Sequence, residues 1–301
     1  MIYELPRDRL ARAAPLFTAA RFDAAFVDAV FEGRQEGRVF VDAPQAPTAA
    51  LLCRTYEYYV AGLPRGSGAA LLRRFIREAP PEAGVFERLY GYVPVGYGWR
   101  AWERGLLDDH GARLRPIARR SFALPPAITL IDWRARVPAG AAIRPIDRAL
   151  AEQIDAEFRH GIAAFWGDYD RFLGGGFGAC LTVDGALASV ANAITVSARE
   201  ANIAVATAAP FRRRGLATLV CAAFVDACRA RGLTPTWDCD AANEASAATA
   251  RALGFVEGER FSQLSPPPGE TIVGEAGRWA HTLGAPPSNV VEWRRRDVAS
   301  G

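Results

Sequence analysis

The chain of 301 residues contains no lysine; all 36 basic residues are arginine. A P-loop is thereby excluded, since that phosphate cradle needs its lysine. There is one methionine, and the three histidines, His110, His160 and His281, lie far apart. The five cysteines, Cys53, Cys180, Cys221, Cys228 and Cys239, form no CxxC pair. A zinc knuckle and a dithiol redox motif are therefore unsupported. Their odd number and apolar neighbours read as buried free thiols in a reducing compartment. No uncharged apolar run of about 20 residues occurs, so no transmembrane helix is expected. The charged start, Met1 to Asp8, lacks a signal-peptide core. A soluble, cytoplasmic chain without a membrane partner is the expectation. Net charge is only +3, and the longest basic runs are Arg212-Arg213-Arg214 and Arg294-Arg295-Arg296. No nucleic-acid partner is expected from so interspersed a balance.

What is present is ample core material. Half of the residues are hydrophobic and 58 are alanine. Alanine, arginine, glycine and proline at the expense of lysine read as a GC-rich coding bias rather than as function. The length suggests two domains. In the first, residues 7–34 read as helical, interrupted at Pro15, with Phe22, Phe26 and Val30 on one stripe. Arg38–Val41, Ala49–Cys53 and Tyr56–Ala61 read as strands, and Ala69–Arg77 as an amphipathic helix. Tyr90–Trp99 reads as irregular. Trp102–Leu107 and Arg113–Arg120 close this half in an α-β-β-β-α order, and Leu124-Pro125-Pro126 reads as a linker. No cluster of His, Cys and carboxylate marks chemistry there.

The second half is more specific. Arg144–Phe165 reads as one helix with Ile146, Leu150, Ile154 and Phe158 on a stripe. Phe177–Val183 and Ala186–Ala193 read as strands joined by an Asp184-Gly185 hairpin turn. Asn202–Thr207 reads as a strand, followed by Phe211-Arg212-Arg213-Arg214-Gly215-Leu216-Ala217 and an apolar helix through Arg229. Thr236–Cys239 reads as a buried strand, Ala241–Leu253 as a helix, and Phe255–Leu264 as the last strand. Residues 265–301 are rich in proline and glycine, with one candidate strand at Val290–Trp293.

The order strand, Arg-x-x-Gly-x-Ala, helix, strand, Asn, helix, Leu-Gly-Phe from Asn202 to Phe255 resembles the GNAT family of acyl-CoA-dependent N-acyltransferases. In that family this motif holds the coenzyme A diphosphate, and Arg212, Gly215 and Ala217 match it. The physics agrees. A helix start offers N–H groups without intrahelical partners and the positive end of the dipole. Gly215 lets a phosphate approach the backbone. Arg212, Arg213 and Arg214 add forked, always-charged donors. The resemblance further implies that Leu216 belongs to the loop, that backbone at Ala206 and Thr207 aligns pantetheine, and that Asn243 supports it. Leu253-Gly254-Phe255 matches the family's ending of its fourth helix.

A finer likeness is to bacterial two-part GNAT chains. It rests on Trp237-Asp238-Cys239-Asp240, Asn243-Glu244, Ser246 and the upstream Phe177-Gly178 and Cys180-Leu181. It implies an α/β fold with a mixed sheet: a degenerate GNAT-like half over residues 1–125, then an acyltransferase domain over 126–301 with an extension at 265–301. Acetyl-CoA is the implied co-substrate, with no metal. A small-molecule or peptide amine is the implied acceptor, taken by direct attack in a ternary complex. Homodimer formation is left open.

Two common family groups are missing. Ala250 stands where many members carry a tyrosine as acid to the leaving thiolate. Ala201–Ala206 has no carboxylate where a base on the amine often sits. An amine nucleophile must lose a proton, so Glu200 and Asp240 are the candidate bases. Glu200 also reads as a turn carboxylate, and Asp240 as an N-cap of the helix after it. Asp238 shares a face with Asp240, but a mid-strand carboxylate needs a partner. Cys239 has no nearby histidine to make it a nucleophile and reads as core. His160 falls near the family's acceptor loops and reads as an exposed bystander. Trp166 and Tyr169 fall where the family lines its acceptor groove, and read equally as core caps. Gly174–Ala179 contains a G-x-G-x-x-A string, but it precedes a strand, so the dinucleotide reading fails. The missing groups also motivate a second functional reading, a non-catalytic acyl-CoA-binding or regulatory module.

Overall fold

The computed structural model describes residues 2–18, 24–54, 57–62, 70–71, 88–91, 115–158 and 161–265. The chain divides into two compact units. One comprises Met1–Val27, Glu36–Ala118 and Ser262–Gly301; the other comprises Asp28–Gln35 and Arg119–Phe261.

In the first unit, 3-10 turns at Arg7–Arg12 and Ala14–Phe17 precede helix α1, Ala24–Phe31, whose residues from Asp28 are assigned to the second unit. Pro15 opens the second turn, where its missing N–H costs nothing. A strand β1, Tyr3–Leu5, comes before them, which the sequence pattern did not suggest. Strands β2 (Arg38–Val41), β3 (Ala49–Arg54) and β4 (Glu57–Gly62) follow as an antiparallel meander, with β1 beside β2. Strand β5, Arg88–Gly91, then pairs parallel with β4. Phe26 stacks on Tyr59 with ring centroids 4.2 Å apart, and both are fully buried. Of the expected helix over 69–77, Ala70 and Leu71 are helical and the rest lies outside the described residues, as does Trp102–Leu107.

In the second unit the sheet order is β6-β11-β10-β9-β8-β7. These strands span Arg115–Ala123 (β6), Ala141–Pro145 (β7), Gly178–Val183 (β8), Ala186–Val196 (β9), Glu200–Thr207 (β10) and Thr234–Asp240 (β11). A further strand, β12 (Val256–Ser265), lies beside β6. The helices are α2 (Arg148–Phe158), α3 (Ile162–Trp166), α4 (Tyr169–Gly175), α5 (Leu216–Ala230) and α6 (Glu244–Ala252). The β8–β9 turn is the expected hairpin, with φ of 49° at Asp184 and 82° at Gly185. Positive φ at both central residues matches the twist of the flanking strands.

Three expectations are corrected. The single helix over 144–165 is instead an edge strand, β7, followed by two helices. Pro145 ends the strand, and Gly161, with φ of 76°, separates α2 from α3. The stripe itself is real, since Ile146, Leu150 and Ile154 are buried. Arg115–Arg120 is strand rather than the close of the first half. Arg119 to Ala123 pair with Asp240 to Thr236, so the chain is already in the second unit before Leu124-Pro125-Pro126. Finally, the last helix starts at Glu244, not Ala241.

The segment Asp28–Gln35 is tied to β9 by a buried glutamine. Gln35 donates to the carbonyls of Ile194 (3.0 Å) and Phe165 (3.4 Å), and accepts from the N–H of Val196 (3.3 Å). On the sheet's opposite faces, Phe177 stacks on Phe224 of α5, while Ile146, just before α2, lies against Gly178. Among the described residues, no helix is long and apolar enough to cross a membrane.

Candidate functional site

The site begins where two parallel strands part. β10 and β11 are in register only at Glu200↔Thr234, Ala201↔Pro235 and Asn202↔Thr236. Beyond Asn202, β10 stays with β9 to Thr207↔Ser189, and β11 stays with β6 to Asp240↔Arg119. The β9 side carries a register irregularity at Asn202/Ile203, where the parting starts. A bulge bends the strand and strengthens its local twist, which accounts for the divergence. Ala204 to Thr207 are accordingly only half-buried.

The basic loop follows β10 directly. Arg212 donates through Nε to the carbonyl of Thr207 (3.1 Å), which folds the loop back over the strand end. Arg214 lies over the ring of Phe211 at 5.6 Å. Arg213 has a φ of 59° and Gly215 a φ of 76°. Left-handed residues near one another turn backbone N–H groups into a concavity suited to an anion. Gly215 is the N-cap of α5 and no side chain caps it. The N–H groups of Leu216, Ala217 and Thr218 precede the first helical hydrogen bond, from Leu219 to Gly215. Apolar residues of α5, including Val220, Cys221, Phe224 and Val225, are fully buried and hold the loop on a fixed base. Arg212, at the start of the loop, is thus held against the strand end at Thr207.

Ser189 donates to the carbonyl of Ala206 (3.0 Å) and shares a 2.8 Å hydrogen bond with the Thr207 hydroxyl. Asn243 is the N-cap of α6, with Oδ1 accepting from Ser246 N–H at 3.1 Å. That replaces the N-cap reading of Asp240, three residues too early for this helix.

The two candidate bases are not brought together. Glu200 stands at the laddered start of β10, whereas Asp240 ends β11, six residues beyond Glu200's partner Thr234. At about 3.3 Å per residue the two lie roughly 20 Å apart along the strand direction. Burial and then Asp28 push the Glu200 carboxyl above its usual range. Asp240 is half-exposed and accepts from Arg119 at 2.5 Å. Trp166 is a core residue: its indole N–H donates to Ala193 carbonyl (3.0 Å) and it packs on Phe172, which leaves it no polar handle for a substrate. Tyr169 opens α4, and burial, then hydrogen-bonded Asp155, pushes its hydroxyl up to about 12. Cys239 is buried, which pushes its thiol up, and packs at 3.9 Å from the Asn243 carbonyl. His160 lies outside the described residues.

Asp238, Asn202 and Arg119, none of them among the candidate site residues, adjoin Asp240. Trp237 and Cys239 face α6, with Trp237 N–H donating to Ser246 (3.0 Å). Strand alternation therefore turns Thr236, Asp238 and Asp240 to the opposite face. Asp238 has the partner that a mid-strand carboxylate needs. Its Oδ1 accepts from Arg119 Nε at 3.0 Å, and Arg119 Nη2 also reaches it. Asn202, buried at the parting point, donates to Asp238 Oδ2 and Thr236 Oγ1, both at 3.3 Å. The alternation Thr-x-Asp-x-Asp was legible; that Arg119 sits opposite Asp240 was not.

Comparison with known proteins bears on the family and the fold. A family profile described as GNAT acetyltransferase matches residues 14–264. The chain is similar to the uncharacterized N-acetyltransferase YdfB of Bacillus subtilis, 22% identical over 256 residues, covering 85% of this chain and 95% of that one. Its fold is similar to that of a GCN5-related N-acetyltransferase-like protein from Streptococcus suis, with a TM-score of 0.67 at 23% identity, over 86% of this chain and 98% of that one. It is also similar to a tandem GNAT protein from the clavulanic acid biosynthesis pathway, with a TM-score of 0.57 at 15% identity, over 88% and 98% of the two chains.

Proposed function

The chain belongs to the GNAT acetyltransferase family, and from that premise we propose that its second unit transfers an acetyl group from acetyl-CoA to a primary amine in a ternary complex. The observation that carries this reading is the parting of β10 and β11 beside the uncapped start of α5. A pantetheine arm has polar amides that need partners, and a strand edge released from its ladder supplies them. Thr207 lies on that edge, whereas the expected partner Ala206 turns its carbonyl to Ser189 of β9. The N–H groups of Leu216 and Ala217, with Arg212, Arg213 and Arg214, offer a diphosphate several convergent donors. Asn243 keeps its Nδ2 for the arm while Oδ1 caps α6.

The amine approaches from the face that carries Asp238 and Asp240. Its nitrogen lone pair attacks the thioester carbonyl carbon, the C–S bond breaks, and coenzyme A leaves as the thiolate. The proton lost from the amine passes to Asp240, the exposed carboxylate on that face, and on to solvent. Strand-end N–H groups stabilise the oxyanion. Arg212→Glu should weaken coenzyme A binding at least tenfold by calorimetry; an unchanged dissociation constant would refute the loop assignment.

A second reading, a non-catalytic acyl-CoA-binding module, is favoured by Ala250, which is fully buried in α6 where many relatives carry the acid. Mass spectrometry of an amine library incubated with acetyl-CoA separates the two. Acetylated product on any acceptor removes the second reading.

A further inference from the structure

We infer that Arg119 is a positioning residue of the acyltransfer site, holding Asp238 and Asp240 side by side so that Asp240 receives the acceptor as an ammonium ion; this rests on the function proposed above. One guanidinium bonds two carboxylates, through Nε and Nη2 to Asp238 and through Nη1 to Asp240. The three groups together carry one net negative charge. Exposure grades along them: the Arg119 side chain is 12% exposed, Asp238 17% and Asp240 52%. The inner pair is therefore a fixed base, and the outer carboxylate is the one an incoming cation meets.

Asn202 locks the arrangement from the other side of the parting strands. It is buried and holds the Asp238 oxygen that Arg119 leaves free. The parted stretch of β10, Ile203–Thr207, is uncharged. On the neighbouring elements, Glu244 and Glu257 pair with Arg120, Arg251 and Arg260, and β12 also carries Glu259, whose carbonyl accepts from Ser121. Arg120 is next to Arg119 in β6, and alternation turns it to the α6 face. Arg119 itself precedes the Leu124-Pro125-Pro126 segment, so a fragment starting at residue 126 would retain the coenzyme A loop and lose this residue.

The test compares Arg119→Gln, Arg119→Lys and Asp240→Asn in the full chain, with acetyl-CoA and the best amine from the library. Without the guanidinium nothing holds Asp240 beside Asp238, and the two carboxylates repel each other. Arg119→Gln should therefore raise the amine KM about tenfold while kcat changes little. Arg119→Lys should restore the KM, and Asp240→Asn should raise it and lower kcat as well. The dissociation constant for acetyl-CoA should hold in all three. An amine KM that ignores Arg119→Gln in an active enzyme overturns the positioning role alone. Acetyl-CoA binding without acetylation of any amine overturns the acyltransfer reading as well.

Discussion

The proposed function gives Asn243 two tasks. Its Oδ1 caps α6 through Ser246 N–H, and the proposal assigns Nδ2 to the ligand. Asn243→Asp keeps a good cap, because Asn and Asp serve about equally there. It also removes the amide donor and adds a charge beside a polyanion. The expected outcome is an unchanged thermal midpoint with weaker coenzyme A binding by calorimetry. Asn243→Ala should lose both, with about 1 kcal/mol of stability gone with the cap. Equal affinity in the Asp variant would reduce Asn243 to a cap. Gly215 poses a related question. Its φ of 76° disfavours a side chain, yet a Cβ there would meet nothing within 4 Å. Gly215→Ala should thus cost about 1–2 kcal/mol of backbone strain without a clash. Coenzyme A affinity should fall more than stability does, since in the proposed site the added methyl sits where a phosphate would approach. At this scale the loop was legible because its residues are contiguous. Arg119 was hidden because its partners are more than a hundred positions away, and only strand register makes them neighbours.

Elements were legible where local pattern and tertiary role coincide. The Asp184-Gly185 turn and the apolar α5 are examples. The helix expected over 144–165 failed for a physical reason. Ile146, Leu150 and Ile154 sit at helical spacing, yet the segment before Asp147 gains more by pairing with β8. Edge strands carry little alternation of their own to read. The start of β10 makes a different point. Glu200 is turned away from the chemistry and faces Asp28 of α1. Burial raises both carboxyls; Asp28 adds to the shift of Glu200, and Glu32 to that of Asp28. A raised folded-state value means that folding is favoured while these groups are protonated, and that this advantage is lost as pH rises through the raised values. Glu200→Gln mimics the protonated form. It should raise the melting temperature at pH 7 by about 1–3 °C, and the gain should vanish near pH 4, where the wild type is itself protonated. Catalysis should be untouched. A midpoint that falls at pH 7, or a gain that persists unchanged in acid, contradicts this account.

Across the whole chain one topology occurs twice. In the first unit, β2, β3 and β4 form an antiparallel meander and β5 returns parallel to β4. In the second, β8, β9 and β10 do the same and β11 returns parallel to β10. This is the two-part GNAT architecture that the sequence resembled. The sequence after β4 also repeats the loop spacing, as Arg65, Gly68 and Ala70; residues 65–69 lie outside those described. In the second unit the ladder stops after three pairs and leaves Ile203–Thr207 without β11. A pantetheine arm needs several released backbone groups in a row, and this stretch supplies them in the second unit. The expected calorimetric stoichiometry is one acetyl-CoA per chain. Arg212→Glu should abolish most of that binding, and Arg65→Glu should leave it as it is. Two molecules bound per chain, with one lost in Arg65→Glu, would make the first unit a working site and end its description as degenerate. The missing lysines help such work directly: with no side-chain amine in the chain, the enzyme's own side chains add no acetyl-lysine background to any acceptor assay.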